Sequence, residues 1–79
     1  MMRRFRTLKI PQHAHPLVQE LFVQMNYQRI GLFDVAERAG IARNTFQGWC
    51  KKHNPRVGDL EACFNVLGME LKPVHRRDD

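Results

Sequence analysis

The sequence predicts an all-α domain of four short helices, and three observations predict it. Apolar residues recur at three- and four-residue spacing in separate stretches, as they do on the buried stripe of an amphipathic helix. Glycines stand just past two of those stretches, at Gly40 and Gly68, where a helix ends most cheaply in a left-handed turn. Asn54-Pro55 interrupts the chain between the last two stretches.

The chain has 79 residues, the size of one domain. A domain this small buries only about 60% of the surface that its unfolded chain exposes. Little core is left in which to enclose an active site, and dimerisation would add stability. With 43% hydrophobic and 27% charged residues, the composition is that of a folded globular chain rather than a disordered one.

Residues 1–15 read as a basic arm, with Arg3, Arg4, Arg6 and Lys9 ahead of Pro11 and Pro16. Three readings of the arm stay open. It is a flexible tail, a minor-groove arm like those of homeodomains, or a short strand within Phe5–Ile10 whose Leu8–Ile10 segment pairs with Met69–Val74 in one subunit or across a dimer. The first helix begins at Pro16, whose missing N–H costs nothing there. Leu17, Val18, Leu21, Phe22 and Met25 form its stripe, and it ends near Tyr27–Arg29.

The second helix spans about Leu32–Ala39, with Gly31 as N-cap and Val35, Ala36 and Ala39 inward. Asp34 and Glu37 suit its N-terminal half through the macrodipole. Gly40 ends it, and Ile41 plugs the space before a third helix over about Ala42–Lys51. Phe46 and Trp49, three apart, share the buried side of that helix. The fourth helix covers about Val57–Leu67, with Leu60, Cys63, Phe64 and Leu67 inward and Gly68 after it. Met69–Val74 alternates like an edge strand, restricted by Pro73. Arg76-Arg77-Asp78-Asp79 reads as a frayed end. The organisation is therefore arm 1–15, helical domain 16–68 and C-terminal strand or tail 69–79.

Net charge is +5, and its distribution is uneven. No Asp or Glu precedes Glu20, and none lies between Glu37 and Asp59. The second gap holds Arg38, Arg43, Lys51, Lys52, His53 and Arg56. A positive field without interleaved acids suits contact with phosphates.

The informative stretch is Val35-Ala-Glu-Arg-Ala-Gly-Ile-Ala-Arg-Asn-Thr-Phe-Gln-Gly-Trp49. Two helices crossing at about 90–120° on a short turn nearly touch. Ala36 leaves room, Gly40 reverses the backbone, and Ile41, Phe46 and Trp49 fill the wedge. Arg43, Asn44, Gln47 and Gly48 are then left on the outer face. Arg pairs with guanine, and Asn and Gln pair with adenine, in the major groove.

On these residues, and on the block Asn54-Pro-Arg-Val-Gly-Asp-Leu-Glu-Ala-Cys-Phe-Asn-Val-Leu-Gly-Met-Glu-Leu71, the chain resembles the lambda-repressor-like (Cro/C1-type) helix-turn-helix family. The resemblance covers about Ile30–Leu71. It implies that the helix from Ala42 reads base edges with Arg43, Asn44 and Gln47 or Gly48. Thr45, Lys51, Lys52, His53 and Arg56 would hold phosphates around it. The family's helix-2 glutamine is replaced by Gly31-Leu32-Phe33, and its Ser or Thr cap by Ala42. The implied function is a double-stranded DNA-binding repressor or autorepressor of phage or prophage type, a homodimer on a palindromic operator. An antitoxin or other protein-interaction module, and an RNA-binding adaptor, are the alternatives.

Other chemistry is weakly supported. Cys50-x-x-His53 and His13-x-His15 do not make a zinc quartet, and no activating motif surrounds Cys50 or His53. The chain is read as a non-enzyme with no metal and no cofactor. Both cysteines read as reduced thiols of a cytoplasmic protein. No apolar segment follows the basic start as in a signal peptide, and none is long enough to span a bilayer.

Overall fold

The computed structural model describes residues 5–51 and 53–73. Four helices follow one another: α1 (Pro16–Gln28), α2 (Leu32–Ala39), α3 (Arg43–Trp49) and α4 (Val57–Val66). Among the described residues there is no strand, and no helix is long and apolar enough to cross a membrane.

The helix ends explain the compact connections. After α1, α2 and α4 the chain closes with the same pair of hydrogen bonds. Ile30, Ile41 and Met69 N–H donate five residues back, to the carbonyls of Met25, Ala36 and Phe64. Arg29, Gly40 and Gly68 N–H donate three residues back, to Asn26, Glu37 and Asn65. This is the Schellman ending, and it needs one left-handed residue each time. Gly40 (φ 74°) and Gly68 (φ 76°) adopt it without strain, whereas Arg29 (φ 58°) adopts it despite its Cβ. The residue after each turn is apolar, and Ile30, Ile41 and Met69 all pack against the core. Three helix stops thus also supply three side chains to the interior.

Helix starts are less regular. Pro16 opens α1 as expected, and the imidazole Nδ1 of His15 accepts from Leu17 N–H at 3.1 Å. That use of His15 as a cap was not legible, because histidine is an uncommon N-cap. Gly31, Ala42 and Arg56 precede the other helices in extended conformation, with no side-chain acceptor. Helix α3 starts one residue later and ends two residues earlier than the sequence predicts. Cys50 and Lys51 instead fold into turns whose N–H groups bond Gln47 and Gly48 carbonyls.

The core draws on every helix: Val18, Leu21, Phe22 and Met25 from α1, Val35 and Ala36 from α2, Phe46 and Trp49 from α3, and Leu60, Cys63 and Phe64 from α4. Ala14 and Leu67 complete it. Phe46 is its hub, edge-on to Phe22 at 6.0 Å and beside Trp49 at 5.1 Å between ring centroids. Both geometries suit aromatic quadrupoles. No described polar or charged side chain is buried. Gln28 Nε2 donates to the Leu67 carbonyl at 2.8 Å, which ties the ends of α1 and α4 together.

Among the described residues no strand joins Leu8–Ile10 to the Met69–Pro73 segment within the chain, for a physical reason. Leu8 finds its partner in a side chain. Its N–H donates to Asn26 Oδ1 at 2.7 Å, and its carbonyl accepts from Asn26 Nδ2 at 2.9 Å. A primary amide copies the donor–acceptor pair that a neighbouring strand would offer. Leu8 and Ile10 pack against the core, as do Met69 and Leu71 from the other end of the chain. The alternation was real, but it serves docking on helices rather than a ladder. Arg3, Arg4, Val74 and the Arg76–Asp79 tail lie outside the described residues.

This pairing makes a test. Asn26→Ala removes two hydrogen bonds at a half-exposed site, each worth about 0.5–1.5 kcal/mol. The expected loss is about 1–2 kcal/mol in chemical denaturation, with faster hydrogen exchange at the Leu8 amide. An unchanged Leu8 exchange rate contradicts the docked arm.

Candidate nucleic-acid interface

The bihelical turn sets α3 apart from the body. Gly40 turns the chain, Ile41 enters the core margin, and Ala42 stays extended before α3 begins. Because Phe46 and Trp49 take the inner side, Arg43, Asn44, Thr45 and Gln47 are all exposed. The outward placement expected of Arg43, Asn44 and Gln47 is thus what the packing produces, whereas Gly48, expected beside them on the outer face, is half-buried against the His53 ring.

A hollow of about 530 Å³ opens beside this face. Asn44, Gln47 and Gly48 line it from the base-reading set, and Thr45, Lys51, His53 and Arg56 from the phosphate set. Seven of the residues singled out in the sequence therefore surround one concavity. Lys52 lies outside the described residues. Arg43 is not on the hollow; its guanidinium lies against α2 instead.

Two participants were missed. Asp59, in the first turn of α4, also lines the hollow and sets one negative charge among Lys51, His53 and Arg56. It makes no ion pair with any described residue; the ion pair found among them is the exposed Lys72–Glu70 contact at 3.2 Å. Such a surface pair contributes little to stability. The second is Phe33, whose ring lies under the Arg43 guanidinium with 4.2 Å from Cζ to the ring centroid. The sequence marked Phe33 only as an aromatic residue off the Val35/Ala36/Ala39 stripe of α2, without its partner; in the structure it is 51% exposed.

That contact has an electrostatic rationale. A cation in the first turn of a helix opposes the macrodipole, by about 0.3–1 kcal/mol. Arg43 occupies that place in α3, which has neither an acidic residue in its first turn nor a side-chain cap. An exposed cation–π contact returns about 0.5–1 kcal/mol. Phe33 thereby makes a basic residue tolerable at the start of α3.

Gly48 is held under His53. A Cβ built on Gly48 would meet His53 Cδ2 at 3.4 Å, an ordinary van der Waals contact. The His53 N–H also donates to the Gly48 carbonyl at 3.3 Å. Glycine in a helix interior costs about 0.5–1 kcal/mol relative to alanine. Gly48→Ala is therefore expected to stabilise the domain by that amount in chemical denaturation. The methyl would lie against the His53 ring rather than on the open face, so duplex affinity should change little as stability rises. A large loss of affinity would show that a ligand approaches closely at Gly48.

The thiols and imidazoles have other surroundings. Burial pushes the Cys50 thiol up, and its Sγ–H points to the Phe46 carbonyl at 3.8 Å. Cys63 is pushed up to about 12, by burial first and by the Asp59 charge second. Neither setting favours a reactive thiolate. Among the described residues, no three His, Cys, Asp or Glu side chains gather as a metal set.

Comparison with protein-family models, curated proteins and solved structures finds no match to this chain.

Proposed function

We propose that this chain is a sequence-specific double-stranded DNA-binding regulator of the lambda-repressor-like helix-turn-helix class. In this reading α3 enters the major groove. The observation that carries it is the exposed face of α3, with Arg43, Asn44 and Gln47 raised on a left-handed glycine turn beside a hollow lined by Lys51, His53 and Arg56. Arg43 reads guanine, Asn44 and Gln47 read adenine, and Gly48 leaves room for the His53 ring against α3. Lys51, His53, Arg56 and Thr45 hold phosphates on the flank, and Lys52 extends the same charge run. The protein acts as a repressor or autorepressor of phage or prophage type by occupying a site that overlaps a promoter. It works as a homodimer, with two α3 helices about 34–36 Å apart on a palindrome.

Selection of bound duplexes from a random pool, at fixed salt, tests the reading. A palindrome with half-sites about one helical turn apart is the expected result. Binding should also weaken with salt, by about 0.9 in log K per log unit of salt for each phosphate neutralised. Absence of any enriched sequence would overturn the reading and favour a protein-interaction module. Equal affinity for A-form RNA would favour an RNA adaptor.

A further inference from the structure

This inference rests on the DNA-reading function of α3 and assigns a role to a residue outside that helix. We propose that Phe33, in the first turn of α2, is a positioning residue for specificity: its ring holds the Arg43 guanidinium in the orientation that reads one guanine.

Three observations carry it. First, Phe33 has no part in the buried core, and half of its surface is exposed, so packing does not account for it. Second, the Arg43 guanidinium carbon lies 4.2 Å from the centre of the ring. Third, Phe33 borders a second hollow of about 560 Å³ whose wall also includes Phe5, Leu8 and Leu32. Leu8 in turn is fixed by its two hydrogen bonds to Asn26.

The chemistry follows from the shape of the guanidinium. It is planar, and its N–H groups lie in that plane. A ring against the cation engages its π face and leaves N–H edges free to donate. Guanine offers O6 and N7 side by side in the major groove, and reading both takes a fork already set in position. An exposed arginine on a flexible stem loses much side-chain entropy when it makes that pair. Resting on Phe33, Arg43 has fewer orientations to give up. Phe33 makes no base contact of its own, so its effect reaches the DNA only through Arg43.

The test uses the full chain and the duplex selected by it, with measurements at one salt concentration. Phe33→Ala is expected to reduce discrimination at the base pair governed by Arg43 by about two- to fivefold, the size of an exposed cation–π contact. Affinity for random-sequence duplex should stay unchanged, while the unfolding midpoint should fall by a few degrees, as loss of the same cation–π contact requires. Phe33→Tyr keeps the ring and should restore the preference, whereas Phe33→Leu keeps apolar bulk and should not. In an Arg43→Ala background, Phe33→Ala should have no further effect on discrimination.

Three results would overturn the proposal. One is full discrimination in Phe33→Ala. Another is an equal loss in the Arg43→Ala background. The third is rescue by Phe33→Leu, which would reveal a merely apolar spacer. If the unaltered chain selects no duplex at all, the DNA-reading function falls and this role falls with it. If it selects one and Phe33→Ala reads it equally well, only the positioning role is lost.

Discussion

Phe46→Ala is expected to cost the domain a quarter or more of its stability, about 3–5 kcal/mol. Phe46 is fully buried and touches rings from two helices, Phe22 of α1 and Trp49 of α3. Deleting such a side chain costs about 3–5 kcal/mol, from lost transfer energy and the cavity left behind. A domain of this size has total stability on the order of 4–12 kcal/mol. Each kcal/mol moves the midpoint by about 4–8 °C, so a fall of more than ten degrees is expected. The single tryptophan reports the change directly, because Trp49 lies 5.1 Å from the deleted ring and is buried. Its emission should move toward that of water-exposed indole. Thr45→Ala, one residue away on the exposed side of α3, should stay within about 0.5 kcal/mol of the unaltered chain. Equal midpoints for the two variants would mean that α3 is packed on a different face.

Arg43→Ala has the largest effect expected on binding. A bidentate arginine–guanine pair is worth about 1–3 kcal/mol of discrimination, or roughly 5- to 150-fold. The loss should be confined to one base pair in each half-site. Arg43 is exposed and stands outside the core, so the variant should unfold like the unaltered chain. Lys51→Ala supplies the contrast, because a phosphate contact weakens all sequences alike and lowers the salt slope by about one phosphate's worth. Competition titrations with single-base-pair variants of the selected duplex check both. If Arg43→Ala weakened every duplex equally, Arg43 would belong with the phosphate contacts, and base reading would rest on Asn44 and Gln47 alone.

The parts of the fold legible in the sequence were those governed by local rules. Gly40 and Gly68 marked helix ends because glycine takes the left-handed turn without strain, and both do so. Phe46 and Trp49 fell inward because a three-residue step keeps two side chains on one side of a helix. The exposure of Arg43, Asn44 and Gln47 followed from that same geometry. What stayed hidden depends on contacts between distant residues. Arg29 takes the conformation of a glycine, and only the closing bonds to Asn26 and Met25 explain why. Asn26 looks like any polar residue on α1 until it meets the backbone of Leu8, eighteen residues earlier. Asp59 could be read as a helix-start acid, but its place beside Lys51 requires the loop after α3 to bring the start of α4 back to the hollow. The Phe33–Arg43 contact spans the whole turn, so helical periodicity within either helix could not reveal it.

Titration of the isotope-labelled protein with the selected short duplex, followed by heteronuclear NMR, tests the central claim most directly. The account predicts that the backbone amides moving most belong to Arg43–Gly48, Lys51, His53 and Arg56, with smaller changes at Phe33. Shifts clustered instead on the exposed Val23 and Tyr27 of α1, with α3 unmoved, would contradict it.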